Sequence, residues 1–453
     1  MAQKKIVGYL PNDTPPLGRM LVLGFQHVLA MFPATILVAL LVGFDVGTVL
    51  AVSGLATITA LILSKQIAGK FIPLYYGSSF SYIAATLAIT NAEFGVYAQD
   101  KVALAQVGIV ATGVVNILVG LIVRRAGGRK FIDKFLPPII TGSVAAVIGI
   151  ALSAAALNMA AANWLVAFIT LLATIIFSVY LQGKGFLGLI PVLLGALVGI
   201  LASALFGLVD LSPVGAAAWF ALPKITFPAF TSPKAWESVA AIAIIAIATI
   251  PESTAHLYQI SLYVDNLATN MGKKKYNLRE LIGLNLILDG LGDMINGMFG
   301  GVAGTNYGEN NSLMVITRNY SGPTLITAGI MAIMLGFIGK LSAAVGVIPI
   351  AVSGGLAIYF FGLIGMQGVA LIQAEKVNLY DPRQLAIGAT ILVLGIGGHI
   401  GLGGNIPLPI PGVFPDGLPA IAFAAVAGIV LNLVFMVFKT PEGAELKVVD
   451  LED

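Results

Sequence analysis

There is no cysteine in the chain. That excludes disulfides, thiolate metal sites and cysteine nucleophiles, and leaves the compartment open. Charge is nearly as scarce: only 10% of the 453 residues are Asp, Glu, Lys or Arg, against roughly 25% in a soluble domain. A surface this poor in charge would aggregate in water, so lipid is the expected solvent for most of it. Soluble-enzyme signatures are missing too. There is no Gly-x4-Gly-Lys-Ser/Thr loop, so ATP-driven transport by this chain alone is not expected, and no His-Glu-x-x-His helix. Gly401-Leu402-Gly403-Gly404 carries no dinucleotide signal. No metal cluster or nucleophile–base pair stands out, so neither a metal, a bound cofactor nor an enzymatic activity is expected. No basic face offers itself to nucleic acid. No short apolar segment is followed by a cleavage site, so the first span is expected to stay in the finished protein.

What is there is apolar. The chain is 58% hydrophobic with a mean hydropathy of +0.97, and a helix needs about 20 apolar residues to cross the hydrocarbon core. The first half holds seven such windows: Met20–Phe44, Val46–Ser64, Phe71–Asn91, Val102–Val123, Phe135–Leu157, Asn163–Leu181 and Phe186–Val209. The second holds seven more: Val239–Leu262, Leu281–Gly300, Gly304–Thr317, Pro323–Leu341, Val345–Ala374, Leu385–Gly403 and Leu418–Phe438. The expected fold is therefore an all-α polytopic membrane protein of about 14 transmembrane spans. The distribution of basic residues tests this map. With the N-terminus cytoplasmic, all but Lys101, Lys224, Lys234 and Lys340 of the 24 Lys and Arg residues fall on cytoplasmic segments. Dropping one span would spoil that asymmetry. Both termini are thus expected in the cytoplasm of a prokaryotic cell, with the chain multi-pass in the cytoplasmic (inner) membrane.

The longest connection, Asp210 to Ala235, contains four prolines and divides the map seven spans plus seven. The expected organisation is residues 1–209 as a first repeat, 210–235 as an extracytoplasmic linker, 236–439 as a second repeat and 440–453 as a cytoplasmic tail. An odd number of spans per half turns homologous halves opposite ways, an inverted repeat. The third window contains Tyr76-Gly77-Ser78-Ser79-Phe80 and the tenth Tyr307-Gly308-Glu309-Asn310-Asn311, both Tyr-Gly followed by two polar residues. These are also the windows most interrupted by Gly and polar residues. Backbone at membrane depth that is not helical survives only when buried in protein or lining a cavity, and paired broken spans point to a transporter's central site. The runs Phe71–Tyr76 and Val302–Tyr307 are expected to form short strands meeting at the centre, each leading into a half-helix whose N-terminus presents free N–H groups.

Ionisable residues at that depth are costly, about 2.5–3.5 kcal/mol on insertion scales, and need a reason. Glu252 follows Pro251 in the eighth window, and His256 lies four residues on, on the same helix face. A Glu–His pair in a low-dielectric site can share or relay a proton. A polar clamp between helices is the plainer alternative. Glu309 opens the half-helix of the tenth window with Asn310 beside it; it reads as a helix cap that can also bind ligand. Asp289 and Asp293, near Asn285 and Asn296, read equally as functional groups or as supports for the broken backbone. Gln26 and His27 fall at roughly the repeat-equivalent place in the first window, while His399 reads as structural.

Gln26-His27-Val28-Leu29-Ala30-Met31-Phe32, Tyr76-Gly77-Ser78-Ser79-Phe80, Pro251-Glu252-Ser253-Thr254-Ala255-His256 and Tyr307-Gly308-Glu309-Asn310, continuing to Thr317-Arg318, carry a family resemblance over essentially the whole chain. The sequence resembles the nucleobase–cation symporter-2 (nucleobase–ascorbate transporter) family, most closely its bacterial uracil permeases. One position departs: the signature glycine is Ser312, preceded by Asn311. The resemblance implies a core domain holding the site and a gate domain, each interleaving spans of both repeats, and often a homodimer. By motif position it implies a nucleobase held between the third, eighth and tenth spans. Glu252 and Glu309 would accept from the base N–H groups, and N–H groups near Phe80 and Gly308 would donate to its carbonyls. Tyr307 and Phe80 would border the ring; His256 with Glu252 would couple protons. Glutamate rather than glutamine at 309 is the uracil-like choice. The expected function is thus proton-driven import of uracil or a related pyrimidine by alternating access, with sodium coupling left open. Ser78 and Asn310 count as supporting residues with Gln26, His27, Asp289 and Asp293. The alternatives are a xanthine or urate carrier of the same family, and an anion exchanger or channel on the related fold. That last reading expects a basic centre where this sequence has two acids.

Overall fold

The structure is a computed structural model describing residues 8–182, 184, 187–410, 414 and 417–438. The expected tail 440–453, Lys4, Lys5, Lys439 and Lys447 of the charge count, and Phe186, where the seventh window begins, lie outside the described residues. Long apolar runs become helices; several start at Pro or Asx residues such as Pro16, Asp45, Asn163 and Asp381, and three stop at the left-handed glycines Gly43, Gly69 and Gly300. In chain order they are α1 (Leu17–Val42), α2 (Val46–Ala68), strand β1 (Tyr76–Ser78), a 3-10 turn (Phe80–Tyr82) entering α3 (Ile83–Thr90), and α4 (Gln99–Arg125). There follow α5 (Arg129–Phe135), α6 (Pro138–Ala151), α7 (Ser153–Ala160), α8 (Trp164–Tyr180), α9 (Pro191–Leu205) and a short α10 (Ser212–Ala216). The second half brings α11 (Ala235–Ala243), α12 (Ala246–Asn270), α13 (Ile282–Phe299), strand β2 (Gly304–Asn306) and α14 (Gly308–Thr317). It ends with α15 (Gly322–Gly336), α16 (Gly339–Gly346), α17 (Ile350–Ala374), α18 (Pro382–Leu392), β3 (Asn405–Ile406), β4 (Leu418–Pro419) and α19 (Ala420–Val437). α18 continues as a π-helix over Val393–Gly401.

Eight helical segments among the described residues are long and apolar enough to cross a membrane. Large apolar side chains face outward on them and on the shorter apolar helix α8, Leu118 and Ile122 on α4 and Leu172 and Val179 on α8 among others. That surface suits lipid and not water. The chain is an all-α polytopic membrane protein.

Two compact units share the chain, each assembled from two stretches: 1–128 with 156–359, and 129–155 with 360–453. In the first, helices meet backbone to backbone through glycine. A Cβ at Gly113 of α4 would lie 2.4 Å from the carbonyl oxygen of Gly290 in α13, and one at Gly54 of α2 2.5 Å from that of Gly329 in α15. Between lipid-facing helices no hydrophobic force favours contact, so close packing of this kind is what holds them. The second unit uses the same device, with Gly149 of α6 against the backbone of Gly365 in α17. The connection after α9 is fastened within the first unit. Ala221 donates its N–H to the Phe337 carbonyl at 2.9 Å, Gly339 to that of Trp219 at 3.1 Å, and Lys340 Nζ to that of Val214 at 2.9 Å.

The strands β1 and β2 pair antiparallel, Tyr76 with Asn306, Gly77 with Thr305 and Ser78 with Gly304. β2 falls inside the expected run Val302–Tyr307, whereas β1 begins only at the last residue of Phe71–Tyr76. The cause lies in hydrogen-bond supply. Ile72 donates its N–H to Ser64 Oγ of α2 at 3.1 Å, and Pro73 has no N–H, so the lead-in is satisfied by α2 before pairing starts. The half-helices start at corresponding places after the two strands: Ser79 caps the turn at Phe80, and Tyr307 precedes the first turn of α14.

Candidate functional site

The broken backbone is satisfied by side chains of α2 and α13, as non-helical chain at membrane depth must be. From α2, Ser53 Oγ and Thr57 Oγ1 donate to the Tyr76 carbonyl at 2.8 and 3.0 Å, and Thr57 Oγ1 also accepts the Tyr76 N–H at 3.1 Å. From α13, Asp293 accepts the Tyr76 hydroxyl at 2.6 Å, the Gly304 N–H at 2.9 Å and Asn116 Nδ2 at 2.8 Å. Asp289, one turn earlier, accepts from Ser253 Oγ, from Asn306 Nδ2 at 3.1 Å and from Asn285 Nδ2 at 3.3 Å. The i, i+4 spacing of the two aspartates gives α13 one acidic stripe. Its lower member holds the strand pair and its upper member ties β2 to α12. This is the support reading of that pair.

On the other side of the strands, α12 and the two half-helices converge. Pro251 interrupts the helical hydrogen bonding of α12, and Glu252 follows it. Ser81 Oγ, in the 3-10 turn after β1, donates to Glu252 Oε2 at 3.5 Å. Glu309, in the first turn of α14, acts on Glu252 through space. His256 reaches Gly308, where a Cβ would stand 3.2 Å from its Nε2, and its ring bonds the backbone of Asn306. Its Nδ1 is buried without a hydrogen-bond partner. Glu252, His256, Gly308 and Glu309 stay partly accessible while Ser253, Thr254, Asn306, Tyr307 and Asn310 around them are buried. Two acceptor carboxylates and the N–H groups of a helix start, unpaired within the helix, thus sit at partly accessible positions beside the strands. Among the described residues no hydrogen bond joins Glu252 to His256; the helix brings them together by spacing alone.

The remaining candidates divide. Phe80 opens the 3-10 turn beside Ser81 and is 9% exposed. Tyr307 is turned into the protein: its hydroxyl bonds Thr35 Oγ1 of α1 at 2.8 Å and its ring lies parallel to Tyr75 and flat on Gly77. A side chain at Gly77 would collide with that ring. Asn310 clamps α14 to α1, donating from Nδ2 to His27 Nδ1 at 3.0 Å and to the His27 carbonyl at 3.1 Å. Gln26 is half-buried one position away, its Oε1 without a partner. Asn311 donates to the His256 carbonyl at 3.4 Å, and Ser312, at the departure from the signature, bonds the Gly308 carbonyl one turn back and is exposed. That hydroxyl satisfies itself on its own helix.

Ser78 requires a correction. The Tyr-Gly match sets it opposite Glu309, yet Ser78 is the last residue of β1 and pairs with Gly304, whereas Glu309 sits two residues past the helix cap. Counting from strand to cap to half-helix, the counterpart of Glu309 is Ser81, and that of Gly308 is Phe80. The two Tyr-Gly pairs coincide in letters three residues out of structural register. Ser81 was therefore missed, although it carries a direct bond to Glu252. Ser253, Asn306 and Tyr76 were missed as partners of the aspartates. Each is a neutral polar residue in a buried run next to a named one, which is the only signal sequence offers for it.

The sequence pattern described as the Permease family matches residues 18–403. A "Uracil permease" of Bacillus caldolyticus is 37% identical over 434 residues, covering 93% of this chain and 93% of its own length. A "Uracil permease" of Escherichia coli (strain K12) is 33% identical over 454 residues, 98% of this chain and 97% of that one. Among solved structures, the transmembrane domain of a cyanobacterium bicarbonate transporter, BicA, superimposes with a TM-score of 0.59 at 15% identity, covering 86% of this chain and 98% of that one. The last likeness is one of fold.

Proposed function

Since this chain belongs to the permease family matched over residues 18–403, the nucleobase–cation symporter-2 family, we propose that it imports uracil, driven by the proton gradient, through alternating access. One observation carries this reading: Glu252 and Glu309, from α12 and α14, are partly accessible and within electrostatic reach of each other beside the paired strands. Uracil offers two N–H donors and two carbonyl acceptors. The carboxylates take the donors, and the first N–H groups of α14 at Gly308 and of the turn at Phe80 give to the carbonyls. A purine dione of the xanthine type needs more room and a different set of partners. Leaving any buried partner unmet is costly, so hydrogen bonding sets the selectivity.

Two like charges a short distance apart in a low-dielectric recess repel, so a proton binds there together with the neutral base. His256 is the group placed to pass it, facing Gly308 with one ring nitrogen unpaired. The loaded, neutralised site then opens to the other side. The two discontinuous units of the chain suit a core and a gate that each draw spans from both halves. The bland anion-exchange alternative on this fold asks for a basic centre, and the residues here are acids. We assign both termini to the cytoplasm, from the basic residues, and expect a homodimer in the membrane.

The deciding experiment is uptake of labelled uracil into proteoliposomes. Uptake rises with an inward proton gradient, is unmoved by an inward sodium gradient, and collapses in Glu309→Gln and Glu252→Gln. Unlabelled xanthine and urate do not compete. Uptake untouched by both substitutions would remove the site assignment; a sodium-driven signal would remove the coupling, and purine competition the substrate.

A further inference from the structure

Away from the carboxylates, at the C-terminal ends of α2 and α12, the structure has a concavity of about 440 Å³ lined by Asn12, Gly69, Lys70, the run Lys273-Lys274-Lys275 and Tyr276. Four ammonium groups edge it, and the acid that meets them is Asp13, 3.5 Å from Lys273. Part of this charge has an ordinary explanation. Helix C-termini attract cations, and Lys70 Nζ is engaged by the Tyr276 carbonyl. Lys274 and Lys275 also belong to the excess of basic residues expected on cytoplasmic segments, but they are exposed and make no ion pair among the described residues, so no acid of the protein neutralises them where they line this concavity.

The walls are built rather than draped. Asn12 spans the floor, its Nδ2 donating to the Gly69 carbonyl at 3.2 Å and its Oδ1 accepting the Phe71 N–H at 3.1 Å. Behind the lysine run, Asp265, a second acid near it, accepts on Oδ1 the N–H groups of Tyr276 at 2.7 Å and Asn277 at 3.0 Å, which fixes the turn after the lysines. The ammonium groups repel one another across this fixed frame, and an anion with several acceptor oxygens relieves that repulsion. A phosphate group offers several such oxygens and up to two charges, which suits several lysines at once. The concavity is open on one side, so a substituent on the phosphate can extend out of it.

We propose that this cavity is a second ligand site, one that binds a phosphate group, independent of the nucleobase site. Two sources share that chemistry at a membrane boundary: the headgroup of an anionic phospholipid and a soluble phosphate. Thermal unfolding of the full chain in phosphatidylcholine nanodiscs separates them. One arm adds sodium phosphate at constant ionic strength; the other replaces part of the lipid by phosphatidylglycerol. A ligand that binds the folded state raises the midpoint. The double variant K274Q/K275Q leaves every described hydrogen bond of the cavity in place, and a cooperative unfolding transition without added ligand, at the midpoint of the unsubstituted chain, serves as the check that it folds. The expected result is a rise of several degrees with at least one probe, cut by half or more in the variant. A rise with phosphate assigns a soluble source, and a rise with phosphatidylglycerol alone assigns a lipid. No rise with either probe, or a variant that keeps more than half of the rise, overturns the proposal whatever the outcome for uracil transport.

Discussion

Ser81 and Glu252 show what a single hydroxyl does at this depth. The Ser81 donor orients one carboxylate oxygen, and Ser81→Ala leaves that oxygen without it. A lost hydrogen bond of this kind costs about 1 kcal/mol, so uracil affinity measured by titration calorimetry should fall about fivefold, with folding intact. Unchanged affinity would mean that Ser81 plays no part in positioning Glu252. A second residue, Asp381, acts at a helix start outside the membrane. Its carboxylate accepts the Arg383 N–H at 2.9 Å and grips the guanidinium from both oxygens. Those Arg383 bonds hold its pKa below the ordinary carboxylate value. A depressed folded value stabilises the protein above the unfolded pKa, and the contribution is lost as pH falls through the folded one. Asp381→Asn should therefore unfold at a lower temperature at neutral pH, by about half a kcal/mol. That gap should close in acid; a gap that persists would refute the charge argument. Of the site itself, the carboxylates, His256 and Gly308 were legible because charge or glycine in an apolar run is conspicuous. Ser81 was not, since serine in such a run is common and its partner lies 171 residues away.

At the scale of elements, eight of the apolar windows were legible as helices long enough to cross a membrane among the described residues, because length and apolarity decide a span, and the two broken windows stood out because Gly and polar residues interrupt them. Strand register was not, since it follows from which side chains of α2 and α13 reach the backbone. Nor does hydropathy say which glycines face a neighbour. Gly113 against Gly290 and the exposed Gly362 of α17, with nothing within 4 Å of its Cβ position, look alike in sequence. They should behave oppositely. Gly113→Val forces α4 off α13 and should cost about 2 kcal/mol or more by overpacking. Gly362→Ala should be neutral or stabilise by roughly 0.5–1 kcal/mol, as glycine to alanine does within a helix. Thermal unfolding of the two variants side by side makes the comparison, and equal losses would contradict the packing described.

For the molecule as a whole, the lack of cysteine makes each introduced thiol unique, which puts its orientation within reach. A membrane-impermeant maleimide should label Lys234→Cys in intact cells and Lys274→Cys only after permeabilisation. The reverse pattern would invert the proposed topology. The pairing of β1 with β2 has one more consequence, for biosynthesis. Each strand supplies what the other lacks, so neither half can close its own centre, and the ribosome must reach residue 304 before Tyr76–Ser78 finds its mate. Until then only the Tyr76 backbone is satisfied, by α2, and the rest of the strand cannot rest bare in lipid, so the first half is expected to stay with the insertion machinery until the second half is made.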